Sequence, residues 1–391
     1  MKSDKTTPNV PTLRFSNKTI WEKKRIKDFC EVNPKTEELE DEFIYIDLES
    51  VSKGCLLSKN IISKTNAPSR AQRVLTNNDI LFQCVRPYQM NNLLFNAENA
   101  DFQYVASTGY AQIRTQENPS FVYHLLHSPN FNKEVMLRCT GSSYPAITSS
   151  DLGDIEVYIC GVGEQQKIGH FLDLIDRRIA VQNKIISKYE TLIKGIYHDF
   201  FSKPADYAIK IKDLIIKGKA GGTPSSTVAQ YYNGDIPFLS ISDMTKQGKY
   251  VSYTEKHISK SGIENSSAWI VPSNSLIFSM YASVGLVCIN TVPLATSQAM
   301  FSMVLKDHRM IEYIYYYLNF FRETKIHRHI ETGTQSNINA ETVRNIDIPF
   351  QSNHLKLVET LNSIEKRLNN EKDMLSLLLD LKAYLLSKLF I

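Results

Sequence analysis

The chain has 391 residues, of which 42% are apolar, 10% aromatic and 22% charged, a composition typical of a folded soluble protein of two or three domains. No stretch approaches 18 uncharged apolar residues, and the first residues lack the apolar core of a signal peptide, so we expect neither a membrane span nor secretion. Six cysteines without a CxxC pair exclude the common zinc and disulfide patterns and favour a reducing cytoplasm. The net charge of +4 is too small to indicate a nucleic-acid partner by itself.

The first 163 residues have the pattern of a mixed α+β domain. Short β-branched and aromatic runs, NNDILFQCVRP at 77–87 and VASTGYAQIR at 105–114, are bounded by Asn, Gly, Ser and Pro and predict strands and turns. SFVYHLLHS at 120–128 predicts a helix, and TGSSYPAITSSDLGDIEVYI at 140–159 closes the domain. We therefore predict a first globular domain over residues 1–163.

Residues 164–203 predict one long helix. From Ile168 to Phe200, apolar residues alternate at spacings of four and three, interrupted only by Gln182, which is the seam of a coiled coil. The predicted seam residues of this helix are Ile168, Leu172, Ile175, Ile179, Ile186, Tyr189, Ile193 and Ile196. The alternative is an ordinary amphipathic helix packed on its own domain, but such helices seldom keep a strict 3.5-residue period for so long.

Residues 204–352 repeat the order of the first domain. SNSLIFSMYAS at 273–283, LATSQAMFSMVL at 294–305 and TGTQSNINAETVRNIDIPF at 332–350 follow at nearly the same spacing, and MIEYIYYYLNF at 310–320 stands where the first domain has its helix. Self-similarity at a fixed separation indicates a duplicated structural unit. We therefore predict a second mixed α+β domain.

Residues 353–391 repeat the first long helix, because IEKRL at 364–368 matches IDRRI at 175–179 in size, charge and order 189 residues later. The predicted seam residues of this second helix are Leu357, Leu361, Ile364, Leu368, Leu375, Leu378, Leu385 and Leu389. Glu371 occupies the seam position that Gln182 has in the first helix. A polar residue there either fixes the register or marks a solvated gap between the helices.

The predicted fold class is α+β, in the order domain, helix, domain, helix. The second helix begins at the second domain, so it can return alongside the first helix as an antiparallel coiled coil. About 33 residues of seam give a spacer of about 50 Å. Two similar domains at opposite ends of such a pair would be related by an approximate two-fold axis.

No catalytic motif stands out in the sequence. Amino-methyltransferases need an Asn/Asp-Pro-Pro-aromatic loop to hold a flipped base, and the nearest match, NPSF at 118–121, lacks the second proline. His124 and His127 form a close pair without further ligands, for which we expect a helix-surface or core role. For His327 and His329, beside basic residues, a phosphate or base contact and a solvated turn are equally open. We predict a non-enzymatic chain with no metal site.

A set of longer phrases runs through the whole chain. They are RFSNKTIWEKKRIKDFCEVNP at 14–34, APSRAQRVLTNNDILFQCVRP at 67–87, GVGEQQKIGHFLDLIDRRI at 161–179, IYHDFFS at 196–202, GKAGGTPSSTVAQYYNGDIPFLSISDM at 218–244 and YLLSKLF at 384–390. In this order they resemble the specificity subunits of type I restriction–modification enzymes. The first domain has SRAQR where the second has GGTPS, so the two domains need not recognise the same DNA sequence.

The resemblance implies a sequence-specific DNA-binding subunit without catalytic activity. Each domain would be a target recognition domain for one half of a bipartite, asymmetric site in double-stranded DNA, and the coiled coil would set the spacing of the halves. Two methyltransferase subunits and the restriction–translocase subunits would be its partners. They would use S-adenosylmethionine, ATP and Mg²⁺, while this chain would bind no cofactor. A two-armed scaffold that binds proteins at both ends is the alternative.

Candidate DNA-contacting residues follow from the chemistry of base edges, since Arg and Lys suit guanine whereas Asn and Gln suit adenine. In the first domain the candidates are Arg70, Gln72, Arg73, Arg86, Gln89, Arg138, Ser142, Ser143 and Tyr144. In the second domain they are Ser279, Tyr281, Lys325, Arg328, His329, Thr334, Gln335 and Asn337. The competing interpretation is that these loops only close the sheets and present polar groups to water.

Overall fold

The computed structural model describes residues 10–97, 101–329 and 337–391. The chain forms two compact units, one of Met1–Lys184 with Lys372–Ile391 and the other of Ile185–Glu371. Each unit joins one globular domain to parts of both long helices. The division therefore falls inside the helices, whereas the four-part division predicted from the sequence separates the helices from the domains.

The first unit is a mixed α/β structure. Its strands are β1 (Trp21–Arg25), β2 (Cys30–Val32), β3 (Glu42–Ile46), β4 (Val51–Ser52), β5 (Cys55–Leu56), β6 (Asn60–Ser63), β7 (Ala71–Val74), β8 (Ile80–Gln83), β9 (Leu93–Leu94), β10 (Gln103–Ser107), β11 (Tyr110–Thr115) and β12 (Glu156–Cys160). Its short helices are α1 (Pro119–Leu125), α2 (Pro129–Arg138) and α3 (Ser149–Gly153), followed by the long helix α4 (Val162–Phe201). The Asn118 side chain caps α1 by accepting from the N–H of Phe121, with Pro119 in the first turn, where its missing N–H costs nothing.

The strands of the first unit form two four-stranded sheets, in the orders β6-β3-β10-β7 and β2-β11-β8-β9, with β1 and β12 as a separate antiparallel pair. Strands β3 and β10 are parallel, and β8 and β11 are antiparallel. Every residue of β8 is buried, as its continuous apolar run predicts for a central strand. The end of β8 thereby becomes a fixed position from which the next loop projects.

The second unit repeats this construction. Its strands are β13 (Tyr207–Lys210), β14 (Ile215–Ala220), β15 (Ile236–Leu239), β16 (Tyr250–Val251), β17 (Lys256–Ile258), β18 (Ile270–Val271), β19 (Ser275–Ser279), β20 (Val287–Asn290), β21 (Leu294–Thr296), β22 (Met300–Leu305) and β23 (Asp347–Phe350). Its helices are α5 (Ile211–Leu214), α6 (Ile241–Gln247), α7 (Lys260–Glu264), α8 (Ile311–Thr324), α9 (Ala340–Arg344) and the long α10 (His354–Leu389). Its sheets have the orders β14-β22-β19-β20-β16 and β17-β15-β21-β18, with β13 and β23 paired separately.

Matching hydrogen bonds show the internal repeat atom by atom. The N–H of Ile147 donates to Cys84 O (3.1 Å), and the N–H of Ile338 donates to Met280 O (3.1 Å). In the same way, the N–H of Cys84 donates to a carbonyl at the start of β11 (3.0 Å), and that of Met280 to the carbonyl of Ala299 before β22 (2.8 Å). The predicted fold class, two mixed α/β domains with long helices and an internal repeat, is confirmed.

In each unit the two long helices pack in opposite directions. In the first unit, Ile168 and Leu172 near the start of α4 share one core with Leu385 and Leu389 near the end of α10. In the second unit, the Gln351 side chain just before α10 donates to the carbonyl of Phe200 at the end of α4 (2.9 Å). All sixteen predicted seam residues are buried or half-buried, and Gln182 is buried as well.

Within the described ranges, no helix combines the length and the apolar content that crossing a membrane requires.

Candidate nucleic-acid interface

In the first domain, one buried amide holds the loop that follows β8. The side chain of Gln83 is 1% exposed. Its Nε2 donates to the carbonyl of Val85 (2.8 Å) and to Oε1 of Gln89 (2.9 Å). Its Oε1 accepts from the N–H of Asn91 (3.1 Å). Because one side chain satisfies polar groups at both ends of loop 84–91, it fixes the shape of that loop.

Loop 84–91 packs against loop 139–146 and brings Arg86 to Tyr144. The N–H of Arg86 donates to the carbonyl of Pro145 (2.8 Å). The guanidinium carbon of Arg86 lies 4.5 Å from the centroid of the Tyr144 ring, and Tyr144 itself is 63% exposed. This distance is typical of a cation–π contact. Two residues that are 58 positions apart in the sequence thus form one cationic, aromatic surface.

Arg70 and Arg73 lie beside the same strand end. The carbonyl of Arg70 accepts from the N–H of Thr108 (2.9 Å), and Nε of Arg73 donates to the carbonyl of Tyr110 (3.1 Å). Tyr110 pairs with Gln83 across β11 and β8. Burial lowers the pKa of the half-buried Arg73 because desolvation disfavours its charged form. The structure therefore places the backbone of Arg70 and the side chain of Arg73 at the start of β11, next to the end of β8.

The smaller predicted residues of this domain surround these arginines. Ser142 and Ser143 are exposed on the loop that carries Tyr144. Gln72 is exposed, and its Nε2 donates to the carbonyl of Ser69 (2.6 Å). Gln89 is exposed but serves as a partner of the Gln83 amide, so its carbonyl oxygen is already engaged.

Arg138 differs from the other predicted arginines in its surroundings. Its guanidinium donates to the carboxylate of Glu134 one helical turn earlier (2.5 Å). It also lies within electrostatic reach of Asp154 and Glu156, whose pKa values are lowered mainly by hydrogen bonds from Lys27 and Lys23 and to a smaller extent by Arg138. The guanidinium of Arg138 therefore lies among acidic side chains at the end of α2, and it is Arg86 that contacts Tyr144.

In the second domain, the same strand end carries different side chains. Ser279 is fully buried, and its Oγ donates to the carbonyl of Tyr281 (2.8 Å), as Gln83 does to Val85. Ala282 has a left-handed backbone (φ 59°) at the position that matches Arg86 (φ 54°). The strand end and the left-handed residue three positions later are thus shared by the repeats, whereas the connection to the next strand (84–92 against 280–286) and the side chains differ.

The remaining predicted residues of the second domain follow α8. Lys325 Nζ lies 5.5 Å from the ring centroid of Phe320, and the His329 ring lies 5.3 Å from that of Phe321. Arg328 is exposed. Asn337 is half-buried next to Ile338, whose N–H binds the strand end at Met280 (3.1 Å). Thr334 and Gln335 lie outside the described residues.

Sequence inspection missed several residues of these surfaces. In the first domain, Tyr88 and Met90 are exposed on loop 84–91. In the second, the exposed pair Thr223 and Gln298 (2.5 Å) lies beside the same strand end, because Ala299 O accepts from the Met280 N–H. The GGTPS phrase was the sequence signal for this pair. A Cβ on its first glycine, Gly221, would lie 2.0 Å from the carbonyl oxygen of Thr296. Only glycine therefore allows the two backbone segments to approach so closely.

The histidine pair of the first domain is part of the core. His124 is fully buried and its Nε2 lies 3.0 Å from a carboxylate oxygen of Asp173. The ring of His127 bonds the carbonyl of Tyr123 (2.7 Å), and burial lowers the pKa of His127 to about 4. The motif NPSF begins α1 through its Asn118 cap. Among the described residues no cluster of three or more His, Cys, Asp or Glu side chains could hold a metal ion.

Comparison with known proteins gives a consistent result over most of the chain. A family model described as the type I restriction modification DNA specificity domain matches twice, at residues 19–191 and 206–374. The MjaIX specificity subunit of Methanocaldococcus jannaschii is 28% identical over 190 residues, which are 47% of this chain and 43% of that protein. The HindI specificity subunit of Haemophilus influenzae is 23% identical over 425 residues, covering 85% of this chain and 92% of that protein.

A solved structure shares the fold. The crystal structure of the type I restriction–modification S subunit from M. genitalium superposes with a TM-score of 0.59 at 16% identity, covering 98% of this chain and 99% of that chain. The family model matches one copy to each repeat that the hydrogen bonds define. The chain therefore belongs to the type I restriction modification DNA specificity domain family.

Proposed function

We propose that this chain is the DNA-reading, non-catalytic subunit of a cytoplasmic type I restriction–modification complex. Each domain recognises one half of a bipartite, asymmetric target in double-stranded DNA, and the two long helices set the spacing between the halves. The observation that carries the proposal is the pair of matching strand ends, which share a left-handed residue three positions after the strand and differ in the side chains they present. An asymmetric target requires such a pair of readers.

The loops supply different chemistry at matching positions. Arg86 in the first domain is matched by Ala282 in the second, both in the left-handed conformation. Gln83 is matched by Ser279, and both donate to the carbonyl two residues later. Because the strand end is shared and the side chains at matching positions differ, each domain can read its own DNA sequence.

Several arginines of the first domain differ in whether a carboxylate pairs with them. Arg25, Arg114 and Arg138 form ion pairs with aspartate or glutamate. Arg70 and Arg86 have no carboxylate partner in the described part of the chain, and neither does the half-buried Arg73. A guanidinium without a carboxylate partner favours an anionic ligand, and nucleic-acid phosphates and guanine edges are such ligands.

The long helices offer a surface for protein partners. Leu174 and Val181 on α4, and Leu377, Leu379 and Leu381 on α10, are large apolar residues that remain exposed off the seam. Exposed apolar residues in contiguous stretches mark protein interaction sites. We assign this surface to two methyltransferase subunits, with the restriction–translocase subunits joining the assembly. S-adenosylmethionine, ATP and Mg²⁺ would be bound by those partners and not by this chain.

The test is binding selection on a randomised bipartite DNA library, with this chain assembled with its methyltransferase subunits. The proposal predicts enrichment of two different half-sites at one fixed spacing. It also predicts that log K falls linearly with log salt concentration, because bound phosphates release counterions. A complex that selects no sequence at low and physiological salt would contradict DNA reading and favour a protein-binding scaffold.

A further inference from the structure

We propose that Arg86, supported on the Tyr144 ring, reads a guanine in the half-site of the first domain, and that Gln83 is the residue that positions it. This inference rests on the proposed function and deepens it, because it assigns one base of the target to one side chain. It also implies that the second domain does not read a guanine at the matching position, because that domain has no arginine there.

The geometry of the stack leaves the recognition edge of Arg86 free. The cation–π contact places the guanidinium carbon of Arg86 4.5 Å from the centroid of the Tyr144 ring. Within the described residues the five N–H donors of this guanidinium have no oxygen or nitrogen acceptor, so they are available to a ligand. Arg86 forms no ion pair within the described residues. A planar, unpaired donor fork matches O6 and N7 of guanine in the major groove, the commonest specific contact between arginine and DNA.

The loop holds Arg86 in a defined place before any ligand binds. Its backbone N–H is bound to Pro145, and both Arg86 (φ 54°) and Met90 (φ 52°) adopt the left-handed conformation. Such a conformation persists in non-glycine residues when surrounding contacts hold it. The Gln83 amide supplies these contacts from a fully buried position. Pre-organisation reduces the entropy lost when a long side chain is immobilised by its ligand.

The surroundings of Arg86 have the character of a contact surface. Tyr88 is 54% exposed, and Met90 and Tyr144 are also exposed large residues. All three belong to the two loops that meet at Arg86. Aromatic side chains and arginine are the residue types enriched at interaction surfaces. A loop that only closed the sheet would not need to present this combination to solvent.

The second domain provides the internal comparison. Ala282 occupies the backbone position of Arg86 but carries only a methyl group, which cannot donate a hydrogen bond. Ser279 clamps that loop in place of Gln83. The same frame therefore presents a guanidinium in one domain and an apolar group in the other. We expect the position equivalent to the Arg86 guanine to be read differently in the second half-site.

The experiment uses the full chain assembled with methyltransferase subunits and the selected bipartite target, with each base of both half-sites varied in turn. Arg86→Ala should reduce the preference for guanine at one position of one half-site by about 5- to 150-fold, the range expected for a bidentate contact. Arg86→Lys should also lose most of this preference, since lysine lacks the planar fork. Tyr144→Phe should retain the preference, while Tyr144→Ala should weaken it.

Gln83→Leu tests the positioning role. It keeps the bulk of the side chain but removes the clamp, so guanine preference at that single position should fall while the other half-site is read as before. Arg25→Ala, which removes an ion-paired arginine of the same domain on β1, is the matched control and should leave both half-sites unchanged.

The outcomes separate the inference from the proposed function. An assembled wild-type complex that selects no DNA sequence contradicts the proposed function. Normal selection by the wild type, with guanine preference unaltered in Arg86→Ala and Arg86→Lys, overturns the inference alone. A uniform loss of affinity without a change in base preference also overturns it, because it would make Arg86 a phosphate contact. If Arg86→Ala fails to assemble, Arg86→Lys decides the question, since it retains the charge but lacks the planar donor fork.

Discussion

Lys249 joins the second domain to helix α10 through a buried ionic network. Its Nζ lies 2.6 Å from a carboxylate oxygen of Glu365, 2.8 Å from Tyr316 OH, 3.3 Å from Asn362 Oδ1 and 3.5 Å from a carboxylate oxygen of Glu312. The Lys249 side chain is 9% exposed and both carboxylates are 20% exposed. Solvent therefore screens this network far less than it screens a surface ion pair.

Lys249→Met retains most of the side-chain volume but removes the charge. Glu312 and Glu365 would then face each other without the cation that separates them. Breaking a buried ion pair by removing one partner costs about 3–5 kcal/mol, because an uncompensated charge stays behind. For a unit of this size, about 2–4 °C per kcal/mol gives a fall in Tm of about 6–20 °C. Glu365→Gln added to Lys249→Met should recover part of the loss.

The two tryptophans of the chain allow each unit to be followed separately. Trp21 belongs to the first unit and Trp269 to the second, and both are buried. In a Trp21→Phe background, thermal unfolding followed by fluorescence reports the second unit alone. Lys246→Met is the control, since Lys246 pairs with Glu255 at the surface, where both side chains are 54% exposed, and its loss should change little. A Lys249→Met midpoint equal to that of the control would refute the argument.

Three further predictions concern the helices and the first domain. Inserting four residues at matching seam positions of both long helices should lengthen them by about 6 Å and increase the preferred spacer by one or two base pairs; an unchanged spacer in DNA selection would show that the helices do not set it. Leu377→Asp with Leu381→Asp should lower the recovery of methyltransferase subunits in co-purification while α10 stays folded by circular dichroism; undiminished recovery of two subunits per chain would place their surface elsewhere. Burial opposes ionisation of Asp173, but hydrogen bonds from His124 and Ser120 hold its pKa below the ordinary 3.8. Its stabilising effect is therefore present above pH 3.8 and lost as the pH falls through the lowered pKa. In a Trp269→Phe background, the wild type should lose stability below pH 3.8 more steeply than Asp173→Asn, and parallel pH curves would contradict this role.

The order of domains and helices could be predicted because the apolar patterns that indicate it extend over only a few neighbouring residues. A 3.5-residue apolar period needs only the residues of one helix, and the structure has helices at Val162–Phe201 and His354–Leu389 where that period occurs. The repeat was equally visible, since NNDILFQC and SNSLIFSM keep the alternation of one buried strand at matching positions. Burial of a strand leaves few choices of side chain, so both copies retained the pattern.

The candidate interface was predicted only as a set of residue types. From the sequence, Arg138 was expected in a cluster with Tyr144, and Arg86 in a separate cluster with Arg70 and Arg73. The structure differs, since Arg138 is neutralised by Glu134 one turn away whereas Arg86 lies on the Tyr144 ring. An ion pair within a helix could have been suspected from the spacing of four residues. No spacing rule leads from Arg86 to Tyr144.

The sequence by itself determined which segments become strands and helices, their duplication and the family, because apolar periodicity and turn residues act over a few neighbouring positions. The tertiary structure alone decided which polar groups are already satisfied and which remain available to a ligand. Gln83 became a buried clamp and Arg86 an unpaired, stacked cation only when β8 packed beside β11 and loop 139–146 closed over loop 84–91. Hydrogen-bond partners distant in the chain are selected by distances of a few ångströms, and those distances are set by the packing of the whole domain.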